Sequence, residues 1–254
     1  MSTMTLLKSP AQIQAMREGG AMLATVLMQL ERVVVPGMTP KDLSKIAGAE
    51  LAALGGQPAF AGFEGYPDII CISVNDQVQH AIPTDEALAL GDIVNFDFGV
   101  RYQGLVTDAG ITVGVGPVSA ADQRLITATA EALAAGIAVV RDGARVGDIS
   151  AAVEARLRQD KLGIVQELAG HGIGEHLHED PSIPNYGRAG KGPMLRAGMT
   201  ICIEPIANLG SRRILVEADD WTIVTADGSR SAQFEHTILV TDTGSEVLTA
   251  RISA

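Results

Sequence analysis

The chain has 254 residues, 46% of them hydrophobic and 19% charged, so it can bury a full core and is not a disordered or low-complexity protein. A net charge of −11 and an aromatic content of 4% argue against nucleic acid as a partner, because a phosphate-binding surface needs clustered Lys and Arg and a base-stacking one needs aromatic rings. Cys71 and Cys202, the two cysteines, stand far apart and outside any Cys-x-x-Cys pattern, which fits a reducing compartment better than a disulfide scaffold.

Met1 to Pro10 has one Lys and no long apolar region, so no secretory signal is expected. Ala132 to Val140, the longest low-charge stretch, is too short to span a bilayer. The expectation is a cytoplasmic protein with no membrane partner. Ser9-Pro10-Ala11-Gln12 reads as a helix start, with Ser as N-cap, Pro at the first helical position and Gln closing a capping box. That helix is predicted to run to Val33, where Val35-Pro36-Gly37 breaks the pattern. Thr39-Pro40-Lys41-Asp42 opens a second helix, ending near Gly55-Gly56. Phe63 to Pro67 reads as a loop and Ile69 to Val74 as a strand, turning at Asn75-Asp76. Ile93 to Tyr102 and Leu105 to Val115 read as strands joined at Gln103-Gly104. Ser119 caps a helix predicted to reach about Arg141, and Val146 to Lys161 forms another. Strands are predicted at Met199 to Ile206, Ile214 to Glu217, Asp220 to Val224 and Phe234 to Val240.

One arrangement occurs twice. His80-x-x-Pro83 is followed by Gly91 and, six residues later, by Asp97. His178-x-x-Pro181 is followed by Gly198 and, six residues later, by Glu204. Each copy then has a carboxylate opening an apolar stretch, Asp108 in the first and Glu235 in the second. A duplicated unit that places acids at matched points implies two related halves, about 9–116 and 117–248, in one 254-residue catalytic domain of α/β (α+β) class with a pseudo-twofold axis. Four carboxylates and a histidine form the ligand set of a paired divalent-metal centre.

Along the first long strand Asn95 and Asp97 share one face, and Phe96 and Phe98 share the other. Asp97 can then point into a site while the phenylalanines pack a core. Asp108 follows eleven residues later across a tight turn, so adjacent strands bring the two acids side by side. Unpaired, they repel and one retains its proton; a metal removes that conflict. Gly170-His171-Gly172-Ile173-Gly174 is a loop-like segment whose glycines let the backbone approach closely and aim the imidazole. A solvent-facing acid in an alternating strand explains any one of Asp97, Asp108, Glu204 and Glu235, but not all four with the repeat. His176 reads as an exposed side chain, and His236 as a structural hydrogen-bonding group facing away from the acids. Cys71 and Cys202 read as inert buried thiols. For Tyr66 and Trp221, lining a pocket and packing in a core are both open.

Ser73-Val74-Asn75, His80-x-Ile82-Pro83, Asn95-Phe96-Asp97, Asp108, Gly170-His171-Gly172-Ile173-Gly174, His178-Glu179-Asp180-Pro181, Ile203-Glu204-Pro205 and Ser231-Ala232-Gln233-Phe234-Glu235-His236-Thr237 together resemble the methionine aminopeptidases, over nearly the whole chain. The resemblance implies the pita-bread fold of two similar halves. It implies two divalent ions, of Co, Mn, Fe or Zn, one held by Asp97, Asp108 and Glu235 and the other by Asp108, His171, Glu204 and Glu235. It implies hydrolysis of the first peptide bond by metal-activated water, releasing the initiator methionine when the second residue is small. His80, His178 and Glu204 are the implied catalytic residues. His80 and His178 also face the substrate, in a pocket with Phe63, Tyr66, Cys71, Leu177 and Trp221. The implied partner is the N-terminus of a nascent polypeptide, with the ribosome as a second candidate, and the expected state is a monomer.

The short spacing between Glu204 and Glu235 resembles the bacterial, type I form, since type II carries an insertion there. Several positions depart from the common pattern: Gln79 and Ala81 stand where cysteine and glycine are usual, Thr107 where glycine is, Phe63 where tyrosine is and Leu177 where phenylalanine is, and Asp108-Ala109-Gly110 lacks the usual Ser-Arg-Thr-like sequel. Two other readings compete. One is an Xaa-Pro aminopeptidase or dipeptidase of the same fold, a type that usually carries a large N-terminal domain. The other is a non-catalytic binding member, a type that loses ligands retained here.

Overall fold

A computed structural model describes residues 7–251. Most of the segment read as lacking a secretory signal lies outside the described residues. Helix α1 spans Pro10–Val33 and α2 spans Pro40–Leu54. Strand β1 (Gln57–Pro58), a 3-10 turn at Phe63–Gly65, β2 (Cys71–Val74) and β3 (Gln77–Gln79) lead into the long hairpin β4 (Ile93–Tyr102) and β5 (Leu105–Gly114). Helices α3 (Ala120–Ala138) and α4 (Val146–Gln159) follow. Then come β6 (Gly163–Ile164), β7 (Ala169–Gly172), β8 (Glu179–Pro184), β9 (Thr200–Ile203) and β10 (Ile206–Asn208). The last strands are β11 (Ile214–Val216), β12 (Ile223–Thr225), β13 (Ser231–Gln233), β14 (Glu235–Val240) and β15 (Ser245–Val247).

The helices begin where their sequences direct. Ser9 Oγ accepts from the Gln12 amide at 3.3 Å, while Gln12 Oε1 accepts from the Ser9 amide at 2.9 Å. Thr39 and Asp42 cap α2 in the same reciprocal way. Gly55, at φ 84°, closes α2 in the left-handed region that glycine enters without a Cβ penalty.

The main sheet has nine strands in the order β1-β4-β5-β14-β9-β7-β8, with β2 paired to β4 and β15 to β14. Two three-stranded sheets, β13-β10-β6 and β11-β12-β3, flank it. At its centre β4 and β5 of the first repeat meet β14 and β9 of the second, and β5 pairs antiparallel with β14. Asp97 in β4 and Asp108 in β5 are therefore matched across the β5–β14 junction by Glu204, just after β9, and Glu235 in β14.

The period-2 alternation of strands then sorts the side chains. Phe96, Phe98, Ile111, Ile201, Ile203 and Ile238 join the large core cluster, which includes Leu23 and Leu27 of α1, Leu43 of α2, Leu125 of α3 and Val153 of α4. Asp97, Asp108, Glu204 and Glu235 alternate with these residues, so they face away from the helices. Filling one face of the sheet with helices leaves the other for the site.

Several elements differ from the sequence expectation. The strand predicted at Met199 to Ile206 splits at Glu204-Pro205, because proline has no N–H to donate and the chain changes sheet there. The strand expected from Asp220 begins at Ile223: Asp219 caps a turn by accepting from the amides of Trp221 and Thr222, and Asp220 sits at φ 63°. Ile69 to Val74 is strand only from Cys71, and α3 and α4 stop short of Arg141 and Lys161. The glycine-rich segment around His171, expected as a loop, is partly strand β7. Its glycines permit tight packing: a Cβ on Gly170 would lie 2.3 Å from the Cys202 carbonyl oxygen of the neighbouring strand.

Candidate metal centre

Asp97 faces Gly110 across β4–β5, and Asp108 faces Gly99. The two aspartates are thus diagonal neighbours on one face rather than directly opposite. Glu235 lies across Gly110 on its other side, in β14. Asp97, Asp108 and Glu235 each offer an oxygen within 4.8 Å of the others. Glu204 follows β9, where Cys202 pairs with Thr237 of β14, and its charge acts on Asp97 and Glu235. The Asn185 side chain donates to the Glu204 carbonyl at 2.9 Å and fixes the chain just before Pro205. Thr237 Oγ1 accepts from the Asp108 amide at 2.9 Å and donates to the Asp108 carbonyl at 2.8 Å, which pins Asp108 where the β5–β14 ladder ends.

All four carboxyl groups are buried, with Glu204 the most exposed at 7%. Burial raises the pKa of each. Asp108 is pushed up to about 7 by burial, and Glu204 to about 8 by burial and then by the Asp108 charge. Asp97 and Glu235 are held well above the usual carboxylate range, first by burial and then by Asp108. Among the described residues, His171 alone comes within ion-pair distance of any of the four, its Nε2 lying 4.0 Å from Glu235 Oε1. Asp97 Oδ1, Asp108 Oδ1 and Glu235 Oε1 are buried without a hydrogen-bond partner among the described residues. Concentrated buried acids with unpartnered oxygens are unfavourable alone and match what a divalent cation requires.

His171 is suited to the same purpose. Its Nδ1 lies 2.9 Å from the Gly172 carbonyl, so Nδ1 carries the proton and donates. Nε2 then presents a lone pair toward Glu235. Burial lowers its pKa to about 3, so the ring is neutral near pH 7. The structure therefore brings Asp97, Asp108, His171, Glu204 and Glu235 together.

Beside these groups lies a cavity of about 250 Å³ with a mostly apolar lining. Phe63, Tyr66, Cys71, Leu177 and Trp221 all line it, as do His80 and His178. The His178 ring stands edge-on to His171, with centroids 4.5 Å apart, and edge-on to Phe63 at 5.3 Å. Tyr66 and Trp221 are edge-to-face at 5.1 Å, and the Tyr66 hydroxyl lies 2.9 Å from the Ala81 carbonyl. Both residues line the pocket and pack. Burial raises the pKa of the Cys71 and Cys202 thiols, which fits inert side chains. Burial lowers His80 to about 4, and His80 sits at φ 59°, a left-handed conformation uncommon for a side chain other than glycine. His176 is exposed, and His236 points away from the acids to Thr249 Oγ1 at 2.9 Å.

Some site residues were not expected from the sequence. Phe60, Val216 and Ile223 complete the apolar wall. Gln79 Nε2 donates to Asp97 Oδ2 at 3.0 Å, and Gln233 Nε2 donates to Glu235 Oε2 at 3.0 Å. For Gln233 a signal existed: it stands two residues before Glu235. For Gln79 the sequence held its departure from the usual cysteine and its place beside His80, but no sign of the contact, which joins strands of different sheets.

The chain matches metallopeptidase family M24 over residues 14–242. It is 44% identical to methionine aminopeptidase 1 of Mycobacterium tuberculosis, over 95% of this chain and 94% of that one. It is 40% identical to methionine aminopeptidase 1 of Bacillus subtilis, over 97% of this chain and 99% of that one. A crystal structure of methionine aminopeptidase from Thermotoga maritima superposes with a TM-score of 0.95 at 41% identity, covering 97% of this chain and 99% of that chain. The burial of four acids on matched strands and the similarity along nearly the whole length agree, and the chain belongs to the methionine aminopeptidases of metallopeptidase family M24, with their pita-bread fold and their use of divalent metal.

Proposed function

We propose that this chain is a methionine aminopeptidase that hydrolyses the first peptide bond of polypeptides beginning with Met followed by a small residue. The observation that carries the reading is the buried cluster of four carboxyl groups and one neutral imidazole, opening on an apolar pocket of side-chain size. In this reading Asp97, Asp108, His171, Glu204 and Glu235 would hold two divalent ions. Bound ions of this kind polarise a carbonyl and make water nucleophilic at neutral pH. Oxygen-rich sites with one imidazole accept Mn, Fe, Co or Zn, and availability selects among them.

Glu204 takes a proton from the attacking water and passes it to the nitrogen of the leaving peptide. His178, close to His171 and braced by Phe63, donates a hydrogen bond to the carbonyl oxygen as negative charge develops there. His80 stands near the substrate amine and narrows the space for the second residue. The methionine side chain lies in the cavity of about 250 Å³, where an unbranched thioether adapts to an apolar wall. A second cavity, of about 510 Å³, shares His80, His171, His178 and Glu204 with the first and takes the polypeptide that follows. The two repeats, about 9–116 and 117–248, act as one catalytic domain. Nascent chains are the natural source of such substrates, which places the reaction in the cytoplasm.

Metal-stripped protein assayed on Met-Ala and Met-Lys peptides, with Mn²⁺, Fe²⁺, Co²⁺ and Zn²⁺ restored in turn, tests the reading. Metal-dependent release of methionine from Met-Ala, with little from Met-Lys, supports it. Faster cleavage of Xaa-Pro peptides transfers the chain to the proline-specific rival, and metal binding without hydrolysis makes it a binding member.

A further inference from the structure

Gln79 makes a contact that the catalytic reading leaves unused. It ends β3, whose ladder partner is Ile223 of the three-stranded sheet, yet its side chain crosses to the main sheet. The residue is 3% exposed, and its Nε2 donates to Asp97 Oδ2 at 3.0 Å. At the other end of the acid cluster Gln233 Nε2 donates to Glu235 Oε2 at 3.0 Å, and Gln233 Oε1 accepts from Asn95 at 2.7 Å. Each amide occupies one oxygen of one outer carboxylate. The remaining oxygens, Asp97 Oδ1 and Glu235 Oε1, have no hydrogen-bond partner among the described residues.

A carboxylate rotates freely about its last side-chain bond until one oxygen is pinned. A buried amide pins it without adding charge to a centre that already holds four acids. Such outer hydrogen bonds orient ligands and are reflected directly in metal affinity. A cysteine at this position would be shorter and would offer only a weak S–H donor.

We propose that Gln79 is a positioning residue for the metal centre, fixing the Asp97 carboxylate so that Oδ1 faces the cation. It also ties that ligand to the strand that presents His80, one residue on. The inference rests on the reading of Asp97 as a ligand.

Gln79→Met preserves length and burial and removes the donor. Mn²⁺ is titrated calorimetrically into metal-stripped wild-type protein and variant, and the visible spectrum is followed as Co²⁺ is added. Mn²⁺ affinity at the sites Asp97 serves should weaken on the order of 10- to 100-fold. The Co²⁺ spectrum should change, with at most a modest fall in the Tm of the metal-free protein from the lost hydrogen bond. Gln79→Cys carries the same comparison if Gln79→Met does not fold. Unchanged Mn²⁺ affinity with an unchanged Co²⁺ spectrum overturns the proposal. So does a fall in metal-free Tm with affinity intact, which assigns Gln79 to packing alone. Wild-type protein that binds neither ion overturns the metal reading as well.

Discussion

Gln233 occupies the space that a side chain on Gly110 would need: a Cβ there would sit 2.0 Å from Gln233 Oε1. Gly110 stands between Asp97 and Glu235 in the ladder, so the missing side chain leaves the amide room to reach Glu235. Gly110→Ala should displace Gln233, free the Glu235 carboxylate and strand a buried donor. A loss of about 1–3 kcal/mol in stability is expected from the unpaired amide alone. Denaturant unfolding of the metal-free protein measures it, and a fall in Mn²⁺ affinity should accompany it.

The pH dependence of metal-free stability follows from the acids. Asp108 titrates near 3.8 unfolded and about 7 folded, and Glu204 near 4.5 unfolded and about 8 folded. Raised folded values mean that the native state holds the extra protons, so this contribution is present below the unfolded values and lost as pH rises through 7 to 8. The buried imidazoles act oppositely: His171, lowered to about 3, and His80, lowered to about 4, cost stability as pH falls below 6.5. A divalent cation offsets the acid term. The rise in Tm on adding Mn²⁺ should therefore be larger at pH 8 than at pH 5.5. Scanning calorimetry at the two pH values checks this, and an equal rise at both would contradict it.

His178→Ala should leave the metal centre loaded and lower kcat by roughly a hundredfold or more, the usual cost of losing a donor to a developing oxyanion. The edge-on contact with Phe63 places the ring without supplying a proton. Phe63→Leu should thus lower kcat less than His178→Ala does. Steady-state kinetics on Met-Ala peptides with metal content measured in parallel separates these outcomes.

Leu177 and Phe63 line the apolar cavity proposed for the methionine side chain. Apolar pockets separate similar side chains by only ~1–3 kcal/mol, so wild-type protein should cleave norleucine-Ala and, more slowly, Leu-Ala. Leu177→Phe adds a ring to the wall and should lower kcat/KM for Leu-Ala more than for Met-Ala. A competition assay read by mass spectrometry gives the ratio directly, and an unchanged ratio would remove Leu177 from the specificity wall.

The sequence by itself determined the helix starts, since a capping box is a contact among four consecutive residues, as at Ser9–Gln12 and Thr39–Asp42. It also determined the face on which Asp97 lies, because a strand's period is two and Phe96 and Phe98 claim the core. The repeat identified the acids, and the spacing of the motifs pointed to the family. Tertiary structure alone decided the rest. Gln79 reaches Asp97 because strands of two sheets cross there, and no local pattern encodes a crossing. The diagonal offset of Asp97 and Asp108 depends on ladder register, which a turn sequence leaves open by a residue or two. His171 lies on a strand because Gly170 packs against the Cys202 carbonyl of β9, a contact made 32 residues along the chain. Local chemistry can be read from neighbours in sequence, whereas register and crossing follow from packing the whole core at once.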